Sequence, residues 1–282
     1  MKINYYNPEF DNGIIYSIDM VRLDVKASLE SGQAFLQRLM DHELVFGRSE
    51  YYQSFKPFQY RHLYTIECGG SSITMGFQPN DDKRKDNFKG FIEFNPNKVA
   101  VSDLYEWLMK EIPLSFTEVE VKRWDMAIDV PYKRNQVTLH KDNRKYTLIE
   151  SPKGKTEYLG TRSHDGFFKL YDKTLESGLD SDVTRLELTI DGLKPFQVLN
   201  MPRVSLVKSV GDMNGLTASD LVLVKLISQQ DDIEYWLRQL GRNKAEKIKP
   251  YLLGVDIALS ISESLYNRLL EQLRVYSKTS IM

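Results

Sequence analysis

Two acidic residues lie four positions apart in a run that alternates like a β-strand, Trp124-Asp125-Met126-Ala127-Ile128-Asp129. Alternation puts Asp125 and Asp129 on one face of the strand and the large apolar side chains on the other. Along an extended strand the two carboxylates are about 13 Å apart. They can serve one site only if the strand bends or a neighbouring strand supplies a ligand between them.

Two later runs carry polar faces of the same kind. Strand alternation groups Arg185, Glu187 and Thr189 on one side of the run that begins at Arg185. It groups Lys169, Tyr171 and Lys173 on one side of the run that begins at Phe167. If these strands are neighbours, a tyrosine, acids and lysines converge on one surface.

Such a surface suits phosphoryl transfer on a phosphodiester. Hard carboxylate oxygens are ligands for Mg²⁺ or Mn²⁺, which stabilise the charge of a departing sugar oxygen. A phenol has an unperturbed pKa near 10, and nearby ammonium groups or a metal lower that pKa, so that tyrosine can attack phosphorus. The alternative is that these alternating strands simply carry a solvated polar face.

The composition excludes several other classes of protein. The four histidines form no His-x-x-x-His or His-apolar-His pair, and the one cysteine cannot form an intramolecular disulfide. Neither a phosphate-binding Gly-rich loop with Lys and Ser/Thr nor a Gly-x-Ser-x-Gly motif is present. The first residues have no apolar core, so we expect neither secretion nor a membrane span and place the protein in the cytoplasm. Because the net charge is −1, any binding of DNA must depend on local basic patches.

The spacing of apolar residues predicts an α+β protein, with a curved, largely antiparallel sheet flanked by helices. Predicted strands cover residues 16–26, 48–56, 58–67, 71–78, 88–95, 117–130, 136–140, 145–150, 156–160, 166–173 and 183–191. Predicted helices cover residues 27–42, a segment capped by Ser102, and residues 221–228, 232–240, 244–252 and 262–276. We therefore expect a catalytic region over residues 1–200 and a helical C-terminal region over 201–282.

A short pattern recurs in three of the predicted strands. It consists of a basic residue, a bulky residue, an acid and an apolar residue, beginning at Arg22, Arg123 and Arg185. The first two copies are about a hundred residues apart, and each lies near a predicted strand and helix. This echo is compatible with a duplicated α+β module, and also with chance.

At these residues the sequence resembles the initiators of rolling-circle replication in Gram-positive plasmids, together with related relaxases and phage replication initiators. The resemblance covers about residues 90–191, and four segments match in order. They are Phe91–Lys98, Arg123–Asp129, Thr156–Asp165 continuing into Phe168–Glu176, and Arg185–Leu188. The third segment, with Gly-x-Arg-Ser and Tyr-x-Lys-x-x-Glu, is the most specific. Asp172 departs from the pattern, because plasmid initiators often have an uncharged polar residue after the tyrosine.

The resemblance implies a metal-dependent tyrosine endonuclease. Tyr171 would nick one DNA strand, keep the 5′ end as a phosphotyrosine and leave a free 3′-OH, with Tyr158 as the next candidate nucleophile. Asp125 and Glu187 are the preferred ligands for Mg²⁺ or Mn²⁺, with Asp129 third. Lys173 and Arg162 would contact the scissile phosphate.

The resemblance also implies partners. These are double-stranded origin DNA with an extruded hairpin or a single-stranded nick site, a host helicase, and a second copy of the chain in a homodimer. Basic residues expected to contact DNA are Lys169, Arg123, Arg185, Lys83, Arg84, Lys85, Lys133 and Arg134. Two rival interpretations stay open: a conjugative relaxase that uses the same chemistry, and a DNA-binding regulator that keeps the fold without the reaction.

Overall fold

The structure is a computed structural model that describes residues 5–41, 49–50, 60–68, 71–79, 87–100, 102–152, 154–206, 215–230, 232–256 and 261–277. It is an α+β fold built on one large antiparallel sheet, as the apolar spacing predicts. Among the described helices, none has the length and apolar character needed to cross a membrane. The predicted strand over residues 48–56 lies largely outside the described residues.

The first half of the chain supplies these strands and helices: β1 Glu9–Asp11, β2 Ile14–Ser28, α1 Leu29–Asp41, β3 Ser49–Glu50, β4 Tyr60–Cys68, β5 Ser71–Pro79, β6 Asn87–Phe94, α2 Pro96–Val99, α3 Asp103–Ser115 and β7 Glu118–Val130. Helix α3 begins where the sequence predicts, because the Ser102 hydroxyl accepts a hydrogen bond from the Tyr105 N–H.

The second half supplies β8 Val137–Leu139, β9 Tyr146–Ser151, β10 Gly154–Leu159, β11 Phe168–Asp172, α4 Lys173–Ser177, β12 Thr184–Asp191, β13 Val204–Leu206, α5 Ala218–Ile227, α6 Ile233–Gln239, α7 Arg242–Leu252, β14 Val255–Asp256 and α8 Glu263–Arg274. Strand β11 ends at Asp172 because this carboxylate accepts a hydrogen bond from the Leu175 N–H and caps α4. Lys173, predicted to be the last strand residue, therefore begins a helix.

The strand order is symmetric about the central pair β2–β7. Outward from β2 the neighbours are β6, β5, β4 and β3, and outward from β7 they are β12, β11, β10 and β9. In each half, the last strand in the chain lies beside the central strand and the earlier strands follow outward. This matching order is what a duplicated module predicts. The strands β8, β13 and β14 form a separate small sheet.

The main core lies on one face of the large sheet, under α1, α3 and α8. The apolar face of β7 is fully buried there through Trp124, Met126 and Ile128. Helix α8 joins this core through Tyr266, whose ring lies 6.0 Å from that of Trp124. Helices α5, α6 and α7 instead enclose a small core of their own around Val224, Leu237, Ile248 and Leu252. The sheet ends near the predicted boundary at residue 200, but the main core extends to α8.

Candidate active site

A row of chemically active side chains crosses the other face of the sheet in register. Tyr158 on β10 lies opposite Lys169 on β11, and Lys169 lies opposite Glu187 on β12. Glu187 in turn lies opposite Ala127 on β7. Side chains directly opposite one another in antiparallel strands have Cβ atoms about 4.5–5.5 Å apart. The strand pairing therefore brings together a tyrosine, a lysine and an acid.

Asp125 lies diagonally from Glu187, because Asp125 pairs with Thr189, two positions further along β12. Its carboxylate accepts a hydrogen bond of 2.7 Å from the Thr189 hydroxyl. Burial and the negative charges of Glu187 and Asp19 raise the pKa of Asp125 to about 7, although the hydrogen bond from Thr189 and the charge of Arg123 oppose this shift. The site thus holds closely spaced carboxylates that repel one another.

Glu187 is the centre of the hydrogen bonds at this site. It accepts a bond of 2.6 Å from the Tyr171 hydroxyl and lies 3.3 Å from the Lys169 ammonium. Burial and the charge of Asp19 raise the pKa of Glu187, whereas Lys169 and Tyr171 lower it. Tyr171 and Lys169 therefore hold the carboxylate in place.

Tyr171, the predicted nucleophile, is buried, with 5% of its surface exposed. Burial and the charge of Glu187 raise the pKa of its phenol far above the ordinary value. Lys169 lies over the ring at 3.8 Å and Lys173 lies 5.8 Å away. Lys173 is itself buried and forms an ion pair with Glu176. Tyr171 and Lys173 therefore lie beneath the surface, whereas Lys169 stays partly exposed.

Tyr158 lies at a cavity of about 590 Å³ whose wall also includes Asp125, Lys169 and Glu187. Its ring stacks against that of Phe167 with a centroid distance of 5.8 Å. Among the residues that the structure describes, its hydroxyl makes no hydrogen bond. Three cations, Arg123, Lys145 and Arg162, lie on the same cavity wall. The cavity combines a tyrosine, three acids, of which Glu93 is the third, and several cations, a set that suits phosphodiester chemistry.

The loop between β10 and β11 forms one rim of the cavity and carries Arg162. The chain turns sharply at Gly160, with φ of +89°, and again at Ser163, with φ of +65°. Arg123 donates a hydrogen bond of 3.2 Å to the Ser163 carbonyl. Asp165 accepts a hydrogen bond of 3.0 Å from the Asp191 N–H and pairs with Lys194 at 2.6 Å. These contacts hold the exposed Arg162 beside the active row.

Asp129 and Arg185 form a buried ion pair, with 3% and 2% of their surfaces exposed. The Arg185 guanidinium donates two hydrogen bonds of 2.6 Å to the Asp129 carboxylate and a third, of 2.9 Å, to Asp19. The Tyr5 hydroxyl donates another to Asp129 at 2.5 Å. Because these charged side chains are buried, the polar faces of the strands are not simply faces exposed to solvent. It also corrects the expectation that Arg185 contacts DNA, because its guanidinium is fully engaged inside the protein.

The remaining predicted DNA contacts differ in their surroundings. Arg134 is buried and pairs with Glu157, so the expectation that it contacts DNA is also wrong. Arg123 is partly buried and pairs with Glu93 at 3.3 Å, and it still faces the cavity. Lys133 is exposed. The cluster Lys83, Arg84 and Lys85 lies outside the described residues.

The acids fit a divalent cation only as a partial set of ligands. Within the described part of the chain, no group of three or more His, Cys, Asp or Glu side chains is arranged to hold a metal. Mg²⁺ is commonly held by one or two carboxylates, with water and substrate phosphate completing its shell. Asp125 and Glu187 suit that arrangement, and burial raises the pKa of both carboxyls although Lys169 pairs with Glu187. Asp129, the third predicted ligand, is occupied by Arg185.

Sequence reasoning missed Asp19, which a β-bulge brings to the site. The pairing of β2 with β7 shifts between Ile18 and Met20, so Asp19 is an extra residue in β2. The sequence carries a signal of this bulge. The apolar residues that become buried have even numbers up to Ile18 and odd numbers from Val21. Sequence reasoning also did not single out Lys145, which lies on the cavity wall.

Comparisons with known proteins find a likeness among solved structures. No protein-family model matches the sequence, and no curated protein sequence matches it. Among solved structures, the chain is similar to a rolling circle replication initiator protein from Geobacillus stearothermophilus, with 16% sequence identity and a TM-score of 0.39. The similarity covers 64% of this chain and 75% of that chain. What this chain does is therefore inferred from the geometry of its own cavity.

Proposed function

We propose that the chain is a DNA strand transferase. It nicks one strand at a replication origin, becomes linked to the 5′ end through a tyrosine, and leaves a free 3′-OH that starts rolling-circle replication. The observation that carries the proposal is the in-register row Tyr158, Lys169 and Glu187, with Asp125 beside it, on the wall of one open cavity.

Tyr158 is the nucleophile in this proposal, in place of Tyr171. A nucleophile must reach phosphorus in line with the leaving oxygen, and Tyr158 lies on the cavity wall, whereas Tyr171 is buried and donates to Glu187. Tyr171 is then a positioning residue that holds Glu187. The resemblance to plasmid initiators assigns the nucleophile to Tyr171, and the proposal departs from it because Tyr171 is buried and hydrogen-bonded to Glu187.

The reaction needs three events at one phosphate. The Tyr158 oxygen attacks phosphorus and loses its proton to a carboxylate of the cavity wall. The bond between phosphorus and the 3′ oxygen breaks, and that oxygen takes up a proton. The product is a 5′-phosphotyrosine and a free 3′-OH, and attack by that 3′-OH reverses the step and rejoins the strand.

The cations and acids divide the remaining work. Lys169, opposite Tyr158 in the pairing, binds the negative phosphate. Arg162 and Lys145 on the cavity wall bind the flanking phosphates. Asp125 and Glu187 would hold Mg²⁺ or Mn²⁺, which when bound polarises the phosphodiester and stabilises the leaving oxygen.

The experiment is a nicking assay on a supercoiled plasmid and on a single-stranded oligonucleotide that carry a candidate origin. The proposal expects one strand to be cut with a 3′ end that a polymerase extends, and it expects excess chelator to stop the reaction. A nick with a blocked 3′ end, or a 5′ end free of protein, would contradict the strand-transfer chemistry. Full activity in excess chelator would contradict only the proposed role of Asp125 and Glu187 as metal ligands. It would leave the strand-transfer chemistry standing.

A further inference from the structure

Helices α6 and α7 follow one another across a short turn, as the two helices of a helix-turn-helix do. Helix α6 ends at Gln239 and α7 begins at Arg242, so only Leu240 and Gly241 separate the two helices. Helix α7 contacts both α6 and α5. In DNA-binding proteins with this layout, the second helix lies in the major groove and the first crosses the DNA backbone.

The inner face of α7 is fixed against the other two helices. Ile248 and Leu252 are buried in the small core together with Leu237 of α6. Asp220 of α5 is fully buried and pairs with two lysines of α7, with Lys247 at 2.8 Å and with Lys244. These contacts orient α7, and they assign Lys244 and Lys247 to holding it in place.

The outer face of α7 carries a different set of side chains. Arg242, Glu246 and Lys249 recur at spacings of four and three residues, and they lie on one side of the helix beside Asn243. All four are exposed. Among the described residues, neither Arg242 nor Lys249 pairs with a carboxylate. These cations are therefore available to a partner.

The local charge is complementary to DNA in spite of the neutral chain. From residue 238 to residue 249 the sequence has five basic residues and one acidic residue, Glu246. The amide of Asn243 has the donor and acceptor pattern that pairs with the major-groove edge of adenine, and arginine pairs with guanine. Charge and hydrogen-bonding groups thus match one occupant, double-stranded DNA.

We propose that α6 and α7 form a second DNA-binding site, which places the outer face of α7 in the major groove of duplex DNA. Arg242 and Asn243 contact base edges or the adjoining phosphates, and Lys249 contacts the backbone. This site goes beyond the nicking function, because it is formed by other elements and binds intact duplex. It would hold even if the strand-transfer chemistry did not.

The test measures binding by the full chain in excess chelator, where cleavage does not interfere. The probe is a fluorescein-labelled duplex of mixed sequence, about three helical turns long, followed by anisotropy over a range of salt concentrations. We expect the double variant Arg242→Ala with Lys249→Ala to bind at least about tenfold more weakly and to lower the salt slope by about two units. Asn243→Ala should weaken binding without changing the slope, because an amide displaces no counterion.

The matched control removes two exposed lysines from α2 and α3, Lys98→Ala with Lys110→Ala. The proposal expects this control to bind duplex as the native chain does. Unchanged duplex affinity and salt slope in the Arg242 and Lys249 variant, or an equal loss in the control, would overturn it. An equal loss for a single-stranded probe would overturn the assignment to duplex.

The replaced side chains of both double variants are exposed, so circular dichroism should show the native fold. A charge-reversed variant, Arg242→Glu with Lys249→Glu, should enlarge the loss of affinity.

Discussion

The two halves of the large sheet share a strand order and differ in chemistry. In the half built outward from β2, the acid Glu93 lies within 3.5 Å of Arg22 and also pairs with Arg123, and the Arg22 guanidinium lies 3.9 Å from the Phe91 ring centre. In the half built outward from β7, Asp125 accepts its hydrogen bond from Thr189 instead of from a cation. Beside the cavity of about 590 Å³, the two acids of the second half, Asp125 and Glu187, have raised pKa values, whereas Glu93 of the first half is paired with two arginines. The fold repeats, and the candidate function comes from the side chains placed on one copy.

The largest expected effect separates the acids of the recurring pattern, which are Asp125 and Glu187 at the cavity and Asp24 in the other half. We expect Asp125→Asn or Glu187→Gln to lower the nicking rate by at least about a hundredfold, because each removes charge that acts on the transition state. Asp24→Asn changes the corresponding acid in the other half and should leave the rate near that of the native chain. Initial rates on a single-stranded oligonucleotide measure this. Equal losses in all three variants would end the distinction between the halves.

A second comparison concerns stability and sets one arginine from each half side by side. Arg185→Ala leaves Asp129 and Asp19 without their buried partner, which should cost about 3–5 kcal/mol of unfolding free energy. Arg22→Ala removes a partly exposed pair and should cost less than about 1 kcal/mol from the ion pair itself. Urea unfolding followed by circular dichroism measures both. A small loss for Arg185→Ala would show that the buried network contributes little to the fold.

A third prediction uses pH. Because the pKa of Asp125 is about 7 in the folded chain, above its ordinary value near 4, the folded state holds a proton that the unfolded state releases. The stability of the native chain should therefore fall as pH rises from about 4 through 7, relative to Asp125→Asn. In chelator, the unfolding free energy of the variant relative to the native chain should rise by about 2–4 kcal/mol between pH 5 and pH 8. A difference that does not grow with pH would mean that the carboxyl ionises normally.

The smallest expected effect concerns DNA affinity. Lys145 lies on the cavity wall, so Lys145→Ala should lower the salt slope for a single-stranded probe by about one unit. Lys26 pairs with Glu118 at 2.7 Å in the other half, and Lys26→Ala should not change that slope. Fluorescence anisotropy against salt concentration gives both values. A slope that Lys145→Ala leaves intact would place the path of DNA elsewhere.

Much of the fold follows from local patterns. Strand alternation separates Trp124, Met126 and Ile128 from Asp125 on β7, and the structure confirms that separation. Helical spacing also locates α5 to α8 to within a few residues. These features depend on residues that are close together in the sequence, so local patterns are enough to predict them.

The site was harder to predict because it depends on contacts between distant residues. Alternation assigns Tyr171 to the correct face, but its burial depends on the surrounding tertiary structure, which alternation does not describe. The sequence predicts that Arg134 contacts DNA, and only the folded structure shows that Arg134 pairs with Glu157. Asp19 arrives through a bulge, and a bulge reverses the alternation that the prediction assumes.

The central claim is that Tyr158 forms the covalent bond with DNA while Tyr171 positions Glu187. The most direct measurement incubates the native chain, Tyr158→Phe and Tyr171→Phe with an origin oligonucleotide, and identifies the modified peptide by mass spectrometry. The account predicts a phosphotyrosine at Tyr158 in the native chain and in Tyr171→Phe, and no adduct in Tyr158→Phe. An adduct at Tyr171, or one that persists in Tyr158→Phe, would contradict it.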